Sequence, residues 1–229
     1  MDDKLVMENY TIKGAIFDMD GLMLDTEKLF VKFWIKAAAD YGYNMTKEHV
    51  LSIRSLSRKY SEPKLKGIFG EEFNFENVRS QRIKLMNSYI DENGLEVKKG
   101  LFSMLNYLKT NKIKIAVATA TGRDRAELYL DRIGVLEYFD ATIYGDMVEN
   151  GKPAPDIYLA AVAKLNLNPS ECVAFEDSPN GLKSASAAGC KTIMIPDLTQ
   201  PDDEIEPFLN AVYSNLEEAI DYFERRIRK

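Results

Sequence analysis

At 229 residues the chain can bury one sizeable core and still carry a smaller second unit. Hydrophobic residues make up 45% and charged residues 29%, and no apolar stretch approaches the roughly 18 residues of a membrane span. The formal charge of −6 without a long basic stripe argues against nucleic acid, and one histidine with two cysteines is too few for a transition-metal cage.

The polar, acidic residues 1–10 read as no secretory signal, so a cytoplasmic location is expected. Residues 12–19 are predicted as the first strand. Its apolar run Ala15-Ile16-Phe17 ends on Asp18 and Asp20, followed at once by Gly21. Side chains two apart on a strand share a face, so a regular ending would aim both carboxylates the same way. Glycine then lets the backbone turn sharply. Two carboxylates at the end of a buried strand are costly unless a divalent metal, a lysine or a shared proton sits between them. The plain alternative is a strand-terminal Asx turn.

From Glu27 the period changes. Leu29, Phe30, Phe33, Trp34, Ala37, Ala38 and Tyr41 mark one face of an amphipathic helix that stops near Tyr41-Gly42. Helical patterns continue to about residue 92, through Ile83, Leu85, Met86, Tyr89 and Ile90, and Asn93-Gly94 breaks the run. Residues 26–92 are therefore expected to form a small helical domain inserted after the first strand. Residues 1–25 and 93–229 then make the main domain. The insert carries a basic run, Arg54-Ser55-Leu56-Ser57-Arg58-Lys59; Trp34 and its aromatic neighbours are expected in its core, and His49 on its surface.

The remainder alternates. Helices are predicted over 101–108, 123–133, 155–165, 179–188 and 215–228, and strands over 113–119, 141–144, 172–175 and 192–195. Such alternation means βαβ units and a parallel sheet. The strand 113–119 ends at Thr119, with Thr121, Gly122 and Arg123 opening the next helix, whose N-terminal amides suit an anion. Lys152 sits in a rigid turn between Gly151 and Pro153, and the strand 172–175 runs into Glu176-Asp177-Ser178. In open parallel sheets ligands bind outside the carboxyl ends of the strands. The stretch 201–206 reads as an acidic surface loop, and Cys172 and Cys190 as reduced core thiols.

The motifs Asp18-Met19-Asp20-Gly21, Thr119, Lys152 and Glu176-Asp177, in that order, resemble the haloacid dehalogenase superfamily of phosphotransferases. Asp25-Thr26-Glu27 and Pro179-Asn180-Gly181 point to the subfamily that includes β-phosphoglucomutase and many small-metabolite phosphatases. The likeness spans residues 12–197, excluding much of 27–92. It implies an α/β fold, a Rossmann-like parallel-sheet core with an inserted α-helical cap. It implies Asp18 as the nucleophile that becomes a phospho-aspartate and also binds Mg²⁺. Asp20 would be the general acid and base, giving its backbone carbonyl to the metal. Asp177 would be a direct ligand and Glu176 a ligand through water. Thr119 and Lys152 would hold the transferring phosphoryl oxygens. In mutase relatives the stretch matching Thr121, Gly122 and Arg123 helps hold the substrate's second phosphate, which makes Arg123 and Arg125 candidates for such a contact; a solvated first helical turn is the plain alternative. Caps supply specificity, which makes Arg54, Arg58 and Lys59 candidate substrate contacts.

The expected activity is a Mg²⁺-dependent phosphatase acting on a sugar phosphate or nucleoside monophosphate. It is expected to work as a monomer, without nucleic acid or membrane as partner. A β-phosphoglucomutase-type phosphohexomutase is the alternative. That family usually carries a histidine shortly after its Asp-Thr pair, whereas this chain has Phe30 in that region. A non-catalytic binding module is the third class, and the full set of catalytic residue types argues against it.

Overall fold

The structure, a computed structural model, describes residues 12–227. Six parallel strands make its sheet: β1 (Gly14–Phe17), β2 (Lys114–Ala118), β3 (Ala141–Ile143), β4 (Cys172–Glu176), β5 (Lys191–Met194) and β6 (Ala211–Val212). Their spatial order is β3-β2-β1-β4-β5-β6. The chain therefore runs outward from β1 to one edge, returns, and runs outward from β4 to the other. The reversal between β1 and β4 opens a crevice at their carboxyl ends.

Period-2 alternation decides what each face buries. Ala15 and Phe17 join one apolar cluster with α5 (Leu101–Thr110), α6 (Arg123–Arg132) and α9 (Ile220–Ile227). Ile16, between them, joins the opposite cluster with α7 (Asp156–Leu165) and α8 (Pro179–Ala187). Central strands buried on both faces read as continuous apolar runs, which is how β1 and β4 appear in the sequence.

Between β1 and α5 the chain forms only helices among its named elements: α1 (Glu27–Asp40), α2 (Lys47–Leu51), α3 (Arg58–Phe69) and α4 (Phe75–Asn93). They enclose an apolar cluster of their own, including Trp34, Val50, Leu65, Phe75 and Val78. The α1 stripe read from the sequence packs along α4, with Phe33 against Tyr89 at 5.5 Å and Trp34 against Phe75 at 5.7 Å between ring centroids.

Several expectations need correction. β1 is four residues long, because the chain leaves the sheet at Asp18. The last helix starts at Ile220, since turns held by the Asn215 side chain (Glu218 N–H to Oδ1, 3.0 Å) occupy the residues before it. β6 was not foreseen, as two residues are too few to show a period. His49 is not a plain surface residue: its Nδ1 accepts from the Thr46 N–H at 3.2 Å, capping α2, and its ring meets Phe69 edge-on at 5.1 Å. Cys172 and Cys190 are buried and unbridged. Among the described residues no helix is long and apolar enough to cross a membrane.

The Phe17 and Phe175 rings stack at 4.8 Å across the two central strands, both fully buried. Phe175→Ala is expected to cost about 3–5 kcal/mol through lost burial and an unfilled cavity. A lower urea midpoint, followed by circular dichroism, is the measurement that checks it.

Candidate active site

Each end of the crevice is shaped by local backbone geometry. Asp18 donates its N–H to the Phe175 carbonyl at 3.1 Å, which fixes it beside the end of β4. The chain then winds tightly, with the Met23 and Leu24 N–H groups both on the Met19 carbonyl at 3.0 and 3.1 Å. Gly21 has φ +85°, and a Cβ there would lie 2.0 Å from Asp177 Oδ2. Gly181 donates its N–H to Ser178 Oγ at 3.1 Å in the first turn of α8, and a Cβ there would stand 1.9 Å from the Glu176 carboxyl carbon. Both glycines are therefore required for the acids to sit where they do.

The two aspartates of the first motif occupy different surroundings. Asp18 is buried, and its Oδ1 accepts from Lys152 Nζ at 2.6 Å. Asp20 is half-buried and accepts hydroxyl hydrogens on both oxygens, from Thr26 at 2.6 Å and from Thr121 at 2.7 Å. Thr121 in turn donates its N–H to Thr119 Oγ1 at 3.1 Å.

Lys152 lies in the loop before α7 and is completely buried. It donates to Glu176 Oε1 at 2.5 Å as well as to Asp18. Tyr158 on α7 donates to the same Glu176 oxygen at 2.5 Å, and Asp177 N–H and Ser178 Oγ each reach Oε2 at 3.2 Å. Asp177 is held otherwise. Arg54 Nη2 pairs with its Oδ2 and also donates to its backbone carbonyl at 2.8 Å, while Oδ1 is buried without a hydrogen-bond partner.

The electrostatics follow from burial. Removal from water pushes the Asp18 carboxyl well above the usual carboxylate range; Lys152 opposes the shift, and Glu176 and Asp177 add to it. Burial likewise raises Asp177 to about 7 against the pull of Arg54. For Lys152 burial favours the neutral amine, but Asp18 and Glu176 outweigh it and raise its pKa, so it stays charged.

Four buried acids (Asp18, Glu27, Glu176, Asp177) thus face two buried cations (Lys152, Arg54). Fully ionised, the group is two positive charges short. Asp18, Glu176 and Asp177 each offer a carboxylate oxygen within 4.8 Å of the others. Hard oxygen donors, an orphaned Asp177 Oδ1 and a double charge deficit fit a divalent cation such as Mg²⁺. Asp20 is expected to give a metal its backbone carbonyl and not its carboxylate, and both of its carboxylate oxygens accept from threonine hydroxyls, those of Thr26 and Thr121.

The substrate-side expectations fare unevenly. A cleft of about 100 Å³ is bounded by Asp18, Asp20, Thr119 and Thr121 below and by residues of the inserted helices above. Of the three basic residues in that run only Arg58 lines it, beside Ser55, Leu56 and Ser57, and the Arg58 side chain also pairs with Glu76 at 2.6 Å. Arg54 is spent inside on Asp177, and Lys59 turns outward to Asn150 Oδ1 at 2.7 Å. Gly122 and Arg123 are not on the wall; Arg123 lies exposed over the Tyr144 ring at 5.4 Å. Arg125 takes that place, since it lies one helical turn beyond Thr121 and shares its face, donating to Thr121 Oγ1 at 3.1 Å.

Sequence reasoning missed Glu27, Arg79, Arg82 and Tyr158 as parts of the site; of the two arginines it raised on α6, the structure brings Arg125 to the cleft and not Arg123. Arg82 had a signal: it interrupts the apolar stripe Phe75, Val78, Met86, Ile90 at helical spacing.

The family described as haloacid dehalogenase-like hydrolase matches residues 15–195. The phosphorylated carbohydrates phosphatase of Thermotoga maritima is 33% identical over 186 residues, 80% of this chain and 84% of its own. A Drosophila melanogaster protein named "Probable pseudouridine-5'-phosphatase" is 35% identical over 197 residues, 81% of this chain and 82% of its own. Among solved structures, β-phosphoglucomutase from Clostridium difficile is 26% identical, with a TM-score of 0.80 over 95% of this chain and 98% of that one.

Lys152→Met tests the charge balance. Removing one partner of a buried ion pair commonly costs about 3–5 kcal/mol. Metal-free Lys152→Met protein is expected to lose stability on that scale in urea titration. A loss below about 1 kcal/mol, the scale of an exposed pair, would mean that Lys152 is not the buried counter-charge of Asp18 and Glu176.

Proposed function

We infer that this chain, which belongs to the haloacid dehalogenase-like hydrolases, is a phosphatase of small phosphorylated metabolites that works through a phospho-aspartate on Asp18. The observation that carries this reading is the contrast between the two neighbouring aspartates. Asp18 is buried against a charged lysine, and Asp20 is half-buried among hydroxyls. Two carboxyls in unlike surroundings suit two chemical roles.

Asp18 Oδ attacks phosphorus, and the bond from phosphorus to the ester oxygen breaks. Asp20, protonated, turns from its threonine hydroxyls and gives its proton to the departing alkoxide. Water then attacks the acyl phosphate while Asp20 takes its proton, and inorganic phosphate leaves with Asp18 regenerated. Thr119 at the cleft wall and Lys152 beside Asp18 attract the phosphoryl oxygens, so catalysis is chiefly positioning and charge stabilisation. Mg²⁺ held by Asp18, Glu176 and Asp177 would supply the positive charge that the buried cluster lacks and would offset the charge of the phosphoryl group. The helices α1–α4 roof the cleft and act in this reading as a cap that excludes water until substrate is bound.

The names of the relatives support this substrate class: one is named a phosphorylated carbohydrates phosphatase and another a probable pseudouridine-5'-phosphatase. The phosphomutase alternative has a structural relative too. A mutase must keep its phospho-aspartate alive while a sugar bisphosphate turns over. This chain carries a single histidine, His49, and that residue is engaged as the cap of α2 rather than set in the stretch following Thr26. Release to water is therefore the favoured outcome.

A screen of phosphorylated metabolites with Mg²⁺, reading free phosphate, is expected to find turnover that chelator abolishes. Asp18→Asn is expected to reduce it to residual levels, with the trapped phosphate analogue beryllofluoride bound to Asp18 in the wild type. Phosphorus NMR with β-glucose 1-phosphate and catalytic β-glucose 1,6-bisphosphate distinguishes the mutase. Glucose 6-phosphate accumulating with little free phosphate would overturn the phosphatase reading.

A further inference from the structure

Arg82 on α4 is 2% exposed and lines the cleft, yet among the described residues no carboxylate pairs with it. Its polar contact is Met86 Sδ at 3.9 Å, its Nε has no partner, and its guanidinium lies over the rings of Phe30 at 4.4 Å and Trp34 at 5.5 Å. A buried guanidinium is ordinarily paired, because desolvating its charge without compensation is costly.

Its neighbours worsen the imbalance. Arg79, Arg58 and Arg125 line the same cleft. Glu76 lies 2.6 Å from Arg58 and 3.9 Å from Arg79, and Glu62 lies 3.0 Å from Arg58, so Arg58 is neutralised and Arg79 partly so. Arg125 contacts a neutral hydroxyl, that of Thr121. Burial, then Arg125 and Arg79, lower the Arg82 pKa well below its ordinary value. Trp34 adds a second orphan, a buried Nε1–H on the cleft wall without an acceptor. At Arg82, Arg125 and Trp34 the cleft thus presents hydrogen-bond donors and positive charge with no carboxylate paired to them, while the floor beneath is acidic.

We propose that this roof is a subsite for a second anionic group, remote from the scissile phosphoryl group, so that the substrates are short phosphate esters ending in a carboxylate or another phosphate. Arg82 is the central contact, flanked by Arg79 and Arg125, and Trp34 Nε1 donates one further bond. This rests on the phosphatase reading for the phosphoryl end. The volume narrows the class further. An engineered cavity of about 150 Å³ holds benzene; this cleft, at about 100 Å³, fits a chain of a few carbons between the two anionic groups.

The test uses alkylphosphonates, which cannot be hydrolysed, with two to four carbons ending in methyl, carboxylate or phosphonate. Binding to the wild type, Arg82→Met and Arg125→Gln proteins is followed by calorimetry and thermal shift with Mg²⁺ present. Methionine matches the bulk of arginine's stem, and exchanging an unpaired buried charge for an apolar group leaves stability equal or higher. The wild type is expected to bind one acid-terminated series about 10- to 100-fold more tightly than the methyl series, the worth of a charged hydrogen bond. That ratio is expected to collapse in Arg82→Met and to shrink in Arg125→Gln. Which terminus wins, carboxylate or phosphonate, identifies the anion. No preference in the wild type, or one that survives both substitutions, would overturn the proposal. If Arg82→Met fails to fold, the wild-type preference and its response to Arg125→Gln decide. Discrimination without turnover of any phosphate ester would instead leave the subsite standing and sink the phosphatase reading.

Discussion

A fully buried ammonium group holds this active site together. Lys152 Nζ lies between Asp18 and Glu176, and so ties the carboxyl ends of β1 and β4 to the loop that precedes α7. Without it the first carboxylate after β1 and the last residue of β4 would repel each other in a medium that screens poorly. The loop is built to deliver it. Asn150 Nδ2 donates to Asp156 at 3.1 Å, the Ala154 N–H to the Gly151 carbonyl at 3.1 Å, and Ser184 Oγ on α8 to the Ala154 carbonyl at 2.6 Å. The Tyr158 ring lies 5.2 Å from the ammonium, and its hydroxyl shares the Glu176 oxygen that Lys152 bonds. An ammonium brought into the interior this way has its desolvation offset by two carboxylates.

The same acidic cluster anchors the inserted helices. Arg54, which follows α2, reaches Asp177 and lies 3.6 Å from Glu27 at the start of α1. Its own backbone carbonyl accepts from Asn180 Nδ2 on α8 at 2.9 Å, and its Nη1 donates to Thr199 at 2.9 Å. The position of α1–α4 is therefore coupled to the charge state of Asp177. Any change in positive charge near that carboxylate alters the strength with which Arg54 is held. The inserted helices and the acidic cluster thus share one electrostatic network rather than two separate ones.

The sequence exposes those parts of the site that sit at strand ends. Asp18, Thr119 and Glu176 were legible because each follows an apolar run, and parallel sheets place such ends on one edge. Lys152 was legible through its setting between glycine and proline. Tertiary pairing was not legible. Arg54 and Asp177 lie 123 residues apart, and nothing in a basic run states that one member turns inward while Lys59 turns out. Helix phase was equally hidden. Arg123 and Arg125 both open α6, and only the orientation of α6 on the sheet brings Arg125 to the cleft and leaves Arg123 over Tyr144. Short elements such as β6 and the late start of α9 fall below the length at which periodicity speaks.

The cleft is polarised across its width. Its floor is a carboxylate cluster short of positive charge, and its roof is an arginine cluster short of negative charge. Asp20 stands between the two walls: its oxygens accept from Thr26 and Thr121, and its charge draws Arg82 less than Arg125 and Arg79 repel it. A chain with a net charge of −6 repels anions at long range, so attraction has to be local. A divalent cation below and an acidic group above would neutralise both walls at once. In such an arrangement the roof contributes binding energy far from the reacting phosphorus, and that energy holds the phosphoryl group against Asp18 while the helices exclude water.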